Sequence, residues 1–332
     1  MPVSRNKRKN DSKKKSNSQK KGVPNFQKLT ISNPNAAGID LGSTSHFVAV
    51  PPDRDEQSVR EFGCYSDNLR QMGQWLKACK IETIAMEATG VYWIPVMEIL
   101  VGEFGFHVIL VQPRYAKNIP GKKTDVKDCQ WILTLHSYGM LPASFRPADD
   151  ICVIRKDWRH RARLIQDASQ QILRMQKELD EMNVHLHKVI SDITGVTGMR
   201  IIKAILGGER DPEELAKLKH PNAKKTNEEI ALALSGNYRE EHIETLRDVV
   251  ETYEHIHRQL ARVTERMETK LKPFRSKVNP EEKPLPKVKS PQSRKKNEPH
   301  FDVRLEVYRI TGVDLTEVPS LSGCTILTLI TE

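Results

Sequence analysis

From Ala36 to about Pro147, short apolar runs alternate with stretches of helical period, the pattern of a sheet domain with helices packed on it. "AAGIDLGSTSHFVAVPP" reads as a strand, a Gly-Ser turn and a second strand, and "REFGCYS" as a third. "DNLRQMGQWLKACK" predicts a helix capped by Asp67, with Leu69, Met72, Trp75 and Leu76 on one face. "ETIAMEATG" predicts a buried strand ending in Gly, "VYWIPVMEILVGEFG" a helix, and "FHVILVQP" another buried strand.

At Ile151 the period changes to that of a long helix. Ile151, Ile154, Trp158, Arg161, Ile165, Ala168, Ile172, Met175, Leu179, Met182, Leu186 and Val189 form a heptad seam broken only by Arg161, a coiled-coil pattern. A second seam, Ile243, Leu246, Val250, Tyr253, His257, Leu260, Thr264, Met267 and Leu271, suits either an antiparallel hairpin with the first or a dimer interface. Between them "DPEEL" starts a helix, with Asp211 as cap and Pro212 in the first position. "KPFRSKVNPEEKPLPKVKSPQSRKKNEPH" is Pro-rich, charged and aperiodic, and reads as a linker. The last segment lays down an apolar helical face up to the final residue, which predicts that a domain has been cut off. The expected division is a basic tail at 1–34, a sheet domain at 35–148, a helical coiled-coil region at 149–272, a linker at 273–300 and the start of a further domain at 301–332.

The formal charge of +10 suggests a polyanionic partner, but its location qualifies that. Residues 1–30 hold ten Lys/Arg and one Asp, so the tail carries +9 and the rest only +1. Such a one-sign polar tail predicts disorder, and acts as a phosphate-binding arm or a solubilising extension. Cys64, Cys79, Cys129, Cys152 and Cys324 show no metal-type spacing, which argues for reduced thiols and against a zinc site or disulfide framework. No apolar run approaches the roughly 18 residues that span a bilayer, so a soluble intracellular protein is expected.

Two folds begin with such a hairpin-first sheet, the ribonuclease-H superfold and the actin-like ATPases, and "GIDLGST" suits both. A carboxylate in a buried strand is costly unless a cation compensates for it, and a metal ion does so for Asp40 in the nuclease case. The second carboxylate then belongs at the end of the neighbouring strand, where Glu87 stands in "TIAMEATG". "GKKTDVKDCQWIL" supplies Asp125 and Asp128, at i and i+3 near a helix start, although Thr124 or Asp125 can also serve there as a cap. Four oxygen ligands suit Mg²⁺ or Mn²⁺ and imply phosphodiester chemistry. Lys122, Lys123 and Lys127 are candidates for holding a nucleic-acid backbone near the metals. The ATPase alternative needs a second phosphate hairpin, and the sequence after Pro147 does not repeat "GIDLGST".

Together, "GIDLGSTSHFVAV", "AMEATGVYW", "VQPRYAKNIPGKKTDVKDCQWI" and "ITGVTGMRIIKAILGGERDPEELAKL" resemble the DEDD transposases of the insertion-sequence one-ten family. The resemblance runs from about Asn35 to the last residue. It implies a RuvC-like α/β domain of the ribonuclease-H superfold, followed by a helical coiled-coil region used in homo-oligomerisation and a C-terminal transposase domain with an essential serine. It implies bacterial cytoplasmic, nucleoid-associated DNA recombination at element ends and target, in some members guided by a bridge RNA. Asp40, Glu87, Asp125 and Asp128 fall on the family's four metal positions. The serine region is expected to be missing, since Ser320 and Ser322 lie in a Pro-Ser-Leu-Ser-Gly turn that suits a structural role. The alternative expectation is an inactive fragment that binds DNA or RNA without cleaving it.

Overall fold

The computed structural model describes residues 30–116, 124–222, 224–286 and 296–332. The expected basic tail lies almost wholly outside the described residues, as do Lys122 and Lys123. The chain divides into two compact units, one through Arg146 and the other from Pro147 to Glu332.

In the first unit β1 (Ala36–Leu41), β2 (Ser45–Ala49), β3 (Val59–Gly63), β4 (Thr83–Glu87) and β5 (His107–Val111) form one sheet in the order β3-β2-β1-β4-β5. β2 pairs antiparallel with both β1 and β3, whereas β1, β4 and β5 run parallel. The helices are α1 (Ser66–Ala78), α2 (Trp93–Gly102), the single turn α3 (Pro113–Ala116) and α4 (Asp125–Ser137). This mixed α/β arrangement is consistent with the ribonuclease-H superfold. It is a hairpin followed by parallel strands joined through crossover helices.

Alternation along the strands gives the two sheet faces different jobs. Ala37, Ile39 and Leu41 of β1 and Ile84 and Met86 of β4 join the core formed with Leu69, Met72, Trp75 and Leu76 of α1 and Val96 and Leu100 of α2. The intervening residues face α4: Ala36 packs with Cys129 and Leu133, and Ala85 with Ile132 and Leu135. Asp40 and Glu87 continue this second series. In α1 the four expected face residues are buried, but the helix begins two residues early, and Tyr65 occupies the cap position while Asp67 sits in the first turn.

The second unit contains no strand among its described residues, so nothing there repeats the phosphate hairpin that the ATPase alternative demands. Its long helices α5 (Asp149–Glu181) and α10 (Glu240–Leu271) flank α6 (Leu186–Val189), α7 (Val196–Leu206), α8 (Pro212–Lys217) and α9 (Asn227–Ala233). α8 starts as expected, with Asp211 accepting from the Glu213 N–H at 2.9 Å and Pro212 at the first position. α11 (Val303–Thr311) and α12 (Gly323–Thr331) follow, and Phe301, Val307, Ile326 and Leu327 share one core with α5, α7 and α10. Ser322 caps α12, accepting from the Thr325 N–H at 3.2 Å, which is a structural role of the kind expected for it.

α5 and α10 are antiparallel partners within one chain. Asp157 meets Arg266 and Lys270, Arg161 meets Thr264, and Glu178 meets His242. The α10 seam is as expected except at His257, which is half-buried next to the buried Ile256, and the α5 seam is as expected in part, with Ile154, Arg161, Ala168, Met175 and Leu179 buried. The buried line runs through Ile154, Asp157, Arg161, Leu164, Ala168, Gln171, Met175, Glu178 and Leu179, while Trp158, Ile165 and Ile172 stand partly exposed beside it. Four of these nine positions are polar, and apolar periodicity alone shifts part of the seam onto the flanking apolar residues. The helix also stops at Glu181, before Met182, Leu186 and Val189. Asn183, at φ 58°, turns the chain in the left-handed conformation that Asn tolerates.

A candidate metal centre at the α4 end of the sheet

The site begins with the lack of a side chain at Gly38. A Cβ there would run into the backbone of Cys129 and Leu133, so glycine lets α4 lie directly against β1. The first turn of α4 thereby comes beside Asp40, two residues further along the strand. Thr124 caps that helix, its hydroxyl accepting from the Lys127 N–H at 3.4 Å, which leaves Asp125 as the first helical residue and resolves which of the two is the cap. Asp125 and Asp128, three apart, then share one side of the first turn.

Asp40, Asp125 and Asp128 each offer a carboxylate oxygen, and the three oxygens lie within 4.8 Å of one another. Asp40 and Asp128 are half-buried and Asp125 is exposed. The positive end of the α4 dipole favours this gathering of like charge without neutralising it. Glu87 is not part of the trio. It ends β4, where its Oε1 accepts from the Thr89 hydroxyl at 2.8 Å, and it follows the register pair Ile39–Met86 by one residue, as Asp40 does on β1. Three of the four expected carboxylates therefore converge, and the fourth ends the adjacent strand on the same sheet face.

Cys129 lies buried directly after Asp128, and burial together with the Asp40 carboxylate pushes its thiol up to about 12. It donates to the Val126 carbonyl at 3.1 Å and is not part of the converging group. The donor set is all oxygen, which fits a hard divalent cation and not zinc. Gly42 and Ser43 form the β1–β2 turn, closed by the Gly42 N–H to Ser45 carbonyl bond at 3.0 Å. Lys127, in the same first turn, is exposed.

Residues 37–184 match the sequence profile of the IS110 DEDD transposases, described as a transposase family. Over that stretch the chain is similar to the IS110 DEDD transposases. The matched transposase segment contains nearly all of the sheet, the converging carboxylates and all of α5. No curated protein matches the chain.

A second group with metal-ligand chemistry, Glu178, Glu181 and His242, was not anticipated from sequence, because its members are far apart in the chain. His242 Nδ1 stands 3.1 Å from Glu178 and 3.2 Å from Glu181, so the group works as a clasp between α5 and α10. Cys64, Cys79, Cys129, Cys152 and Cys324 are free thiols. No helix among the described residues is long and apolar enough to cross a membrane.

Proposed function

We propose that the chain is a metal-dependent transposase acting on DNA, with Asp40, Asp125 and Asp128 holding Mg²⁺ or Mn²⁺ and Glu87 completing the set from the next strand. The observation that carries this reading is the convergence of three carboxylates within 4.8 Å in a segment of the transposase family. When bound, such ions activate a nucleophile and stabilise the leaving oxygen in phosphodiester cleavage or transfer. The chain's own contribution is to orient the ligands. β1 fixes Asp40, α4 presents Asp125 and Asp128 together, and Thr89 holds one oxygen of Glu87 so that the other is left to point elsewhere.

Lys127 joins Lys122 and Lys123 in this reading as a backbone contact for the DNA strand approaching the metals. Association with a second copy and use of a guide RNA belong to the same proposal, on the strength of the family resemblance. So does a nucleophilic serine contributed from outside the residues present here.

The test is cleavage of branched DNA by the purified protein in Mg²⁺ or Mn²⁺, beside Asp40→Asn. Metal-dependent nicking by the wild type, lost in the variant, supports the reading. Binding without cleavage in either metal supports instead a non-catalytic protein that binds DNA or RNA.

A further inference from the structure

We propose that the open side of the α5–α10 hairpin binds the backbone of duplex DNA, through Lys156, His160 and Arg163 of α5 and Arg262, Arg266 and Lys270 of α10. The proposal rests on the transposase reading for its partner and on the hairpin for its location. Lys156, His160 and Arg163 follow one another by four and three residues, and Arg262, Arg266 and Lys270 by four, so each set makes one row along its helix.

Asp157 ties the rows together. Buried in the seam, it accepts from Arg266 Nη2 at 2.5 Å and from Lys270 Nζ at 2.8 Å, fixing two α10 cations over the α5 edge that carries the first row. Asp157 and the exposed Asp167, four residues after Arg163 on the α5 row, are outnumbered by Lys156, Arg163, Arg262, Arg266 and Lys270. Lys156, Arg163 and Arg262 are exposed and have no acidic partner among the described residues. The charge is also segregated, because residues 240–254 of the same α10 carry six carboxylates and one Arg. The other side of the hairpin is occupied by packing: Trp158 donates to Thr328 of α12 at 3.0 Å, and Arg247 donates to the Leu206 carbonyl that ends α7 at 2.9 Å.

Geometry favours DNA over RNA as the polyanion. Packed helices lie about 8–10 Å apart, so the two cationic rows have roughly that separation before their long side chains reach outward. Two phosphate rails flanking the roughly 12 Å major groove of B-form DNA match this spacing, whereas the A-form major groove is too narrow and deep to present its rails that way. A two-helix platform is too wide to enter a groove. The contact is therefore to backbone and is insensitive to sequence.

The experiment uses the full chain, with binding to a 30-base-pair DNA duplex followed by fluorescence anisotropy across a salt series. The triple variant Lys156→Gln, Arg163→Gln, Arg262→Gln removes three exposed charges without leaving a buried partner behind. The control triple variant Lys203→Gln, Lys217→Gln, Lys225→Gln removes three cations that are ion-paired in the same unit. With about 0.9 counterions released per phosphate contact, the face variant is expected to lower the salt slope by about 2–3 and weaken binding at least about tenfold, while the control keeps the wild-type slope. Thermal melts that match wild type exclude a folding defect. An unchanged slope in the face variant, an equal loss in the control, or tighter face-dependent binding to duplex RNA overturns the proposal while leaving the metal-site reading intact. Absence of any DNA binding by the wild type overturns both.

Discussion

The carboxylates of the sheet unit and the polar seam of the helical unit bury charge in opposite ways. At the end of α4, three like charges are drawn together within 4.8 Å, whereas along α5 the buried charges meet partners of opposite sign or hydrogen-bonding capacity. Burial pushes Asp157 up, but hydrogen bonds from Arg266 and Lys270 outweigh it and hold the carboxyl below its usual range. Arg161 is likewise buried and donates to Thr264 Oγ1 at 3.1 Å and to the Asn297 carbonyl at 2.6 Å. Paired charge specifies how two helices sit. Converging like charge costs stability and is expected where a cation is to be bound.

The largest expected effect is on chemistry. Asp40→Asn or Asp128→Asn should lower metal-dependent DNA cleavage by about 10³-fold or more, measured on branched substrates, while raising the metal-free melting temperature by relieving the like-charge repulsion. Asp157→Ala should do the reverse, leaving the metal site intact and lowering stability by about 2 kcal/mol in denaturant titration, because its cationic partners are partly exposed and can rehydrate. If both variants lost stability equally, the distinction between the two regions would fail.

Gly38→Ala couples packing to the site. The added methyl must displace the α4 backbone, for about 2–3 kcal/mol of destabilisation, and should weaken metal binding through Asp125 and Asp128, neither of which is altered. Calorimetry with Mn²⁺ checks this. Undiminished affinity would show that α4 does not depend on that contact for its position.

The sheet unit also carries a pH dependence. Burial, and then the neighbouring His107, pushes His136 down to about 4, and burial lowers His46 in the same direction. Both are neutral when folded, so the unfolded chain takes up protons first. The associated stability is complete above about pH 6.5 and is lost as pH falls towards 4, by up to about 3 kcal/mol for His136. His136→Gln should remove about one proton of uptake from this window, measured as the slope of unfolding free energy against pH. The smallest effect is expected at the exposed Arg70–Glu103 pair, where Arg70→Ala should leave the melting temperature close to that of the wild type.

These differences follow what a sequence can display. The strands and helices of the sheet unit were legible because their apolar runs, Ile39 or Leu69–Met72–Leu76 for example, each serve one core. Asp40, Glu87, Asp125 and Asp128 stood out because carboxylates at strand ends and a helix start break an otherwise apolar pattern. The α5 seam was misplaced in part, for the opposite reason. Asp157 and Glu178 look like surface residues until their partners, 109 and 64 positions away, are known. The role of Gly38 was equally hidden, since a glycine in a strand does not announce which helix approaches it.

The most direct test of the central claim is calorimetric titration of the purified chain with Mn²⁺, beside Asp40→Asn. The account predicts saturable binding to the wild type that is lost in the variant. Equal binding to both proteins, or none to the wild type, would contradict a metal centre built on Asp40, Asp125 and Asp128.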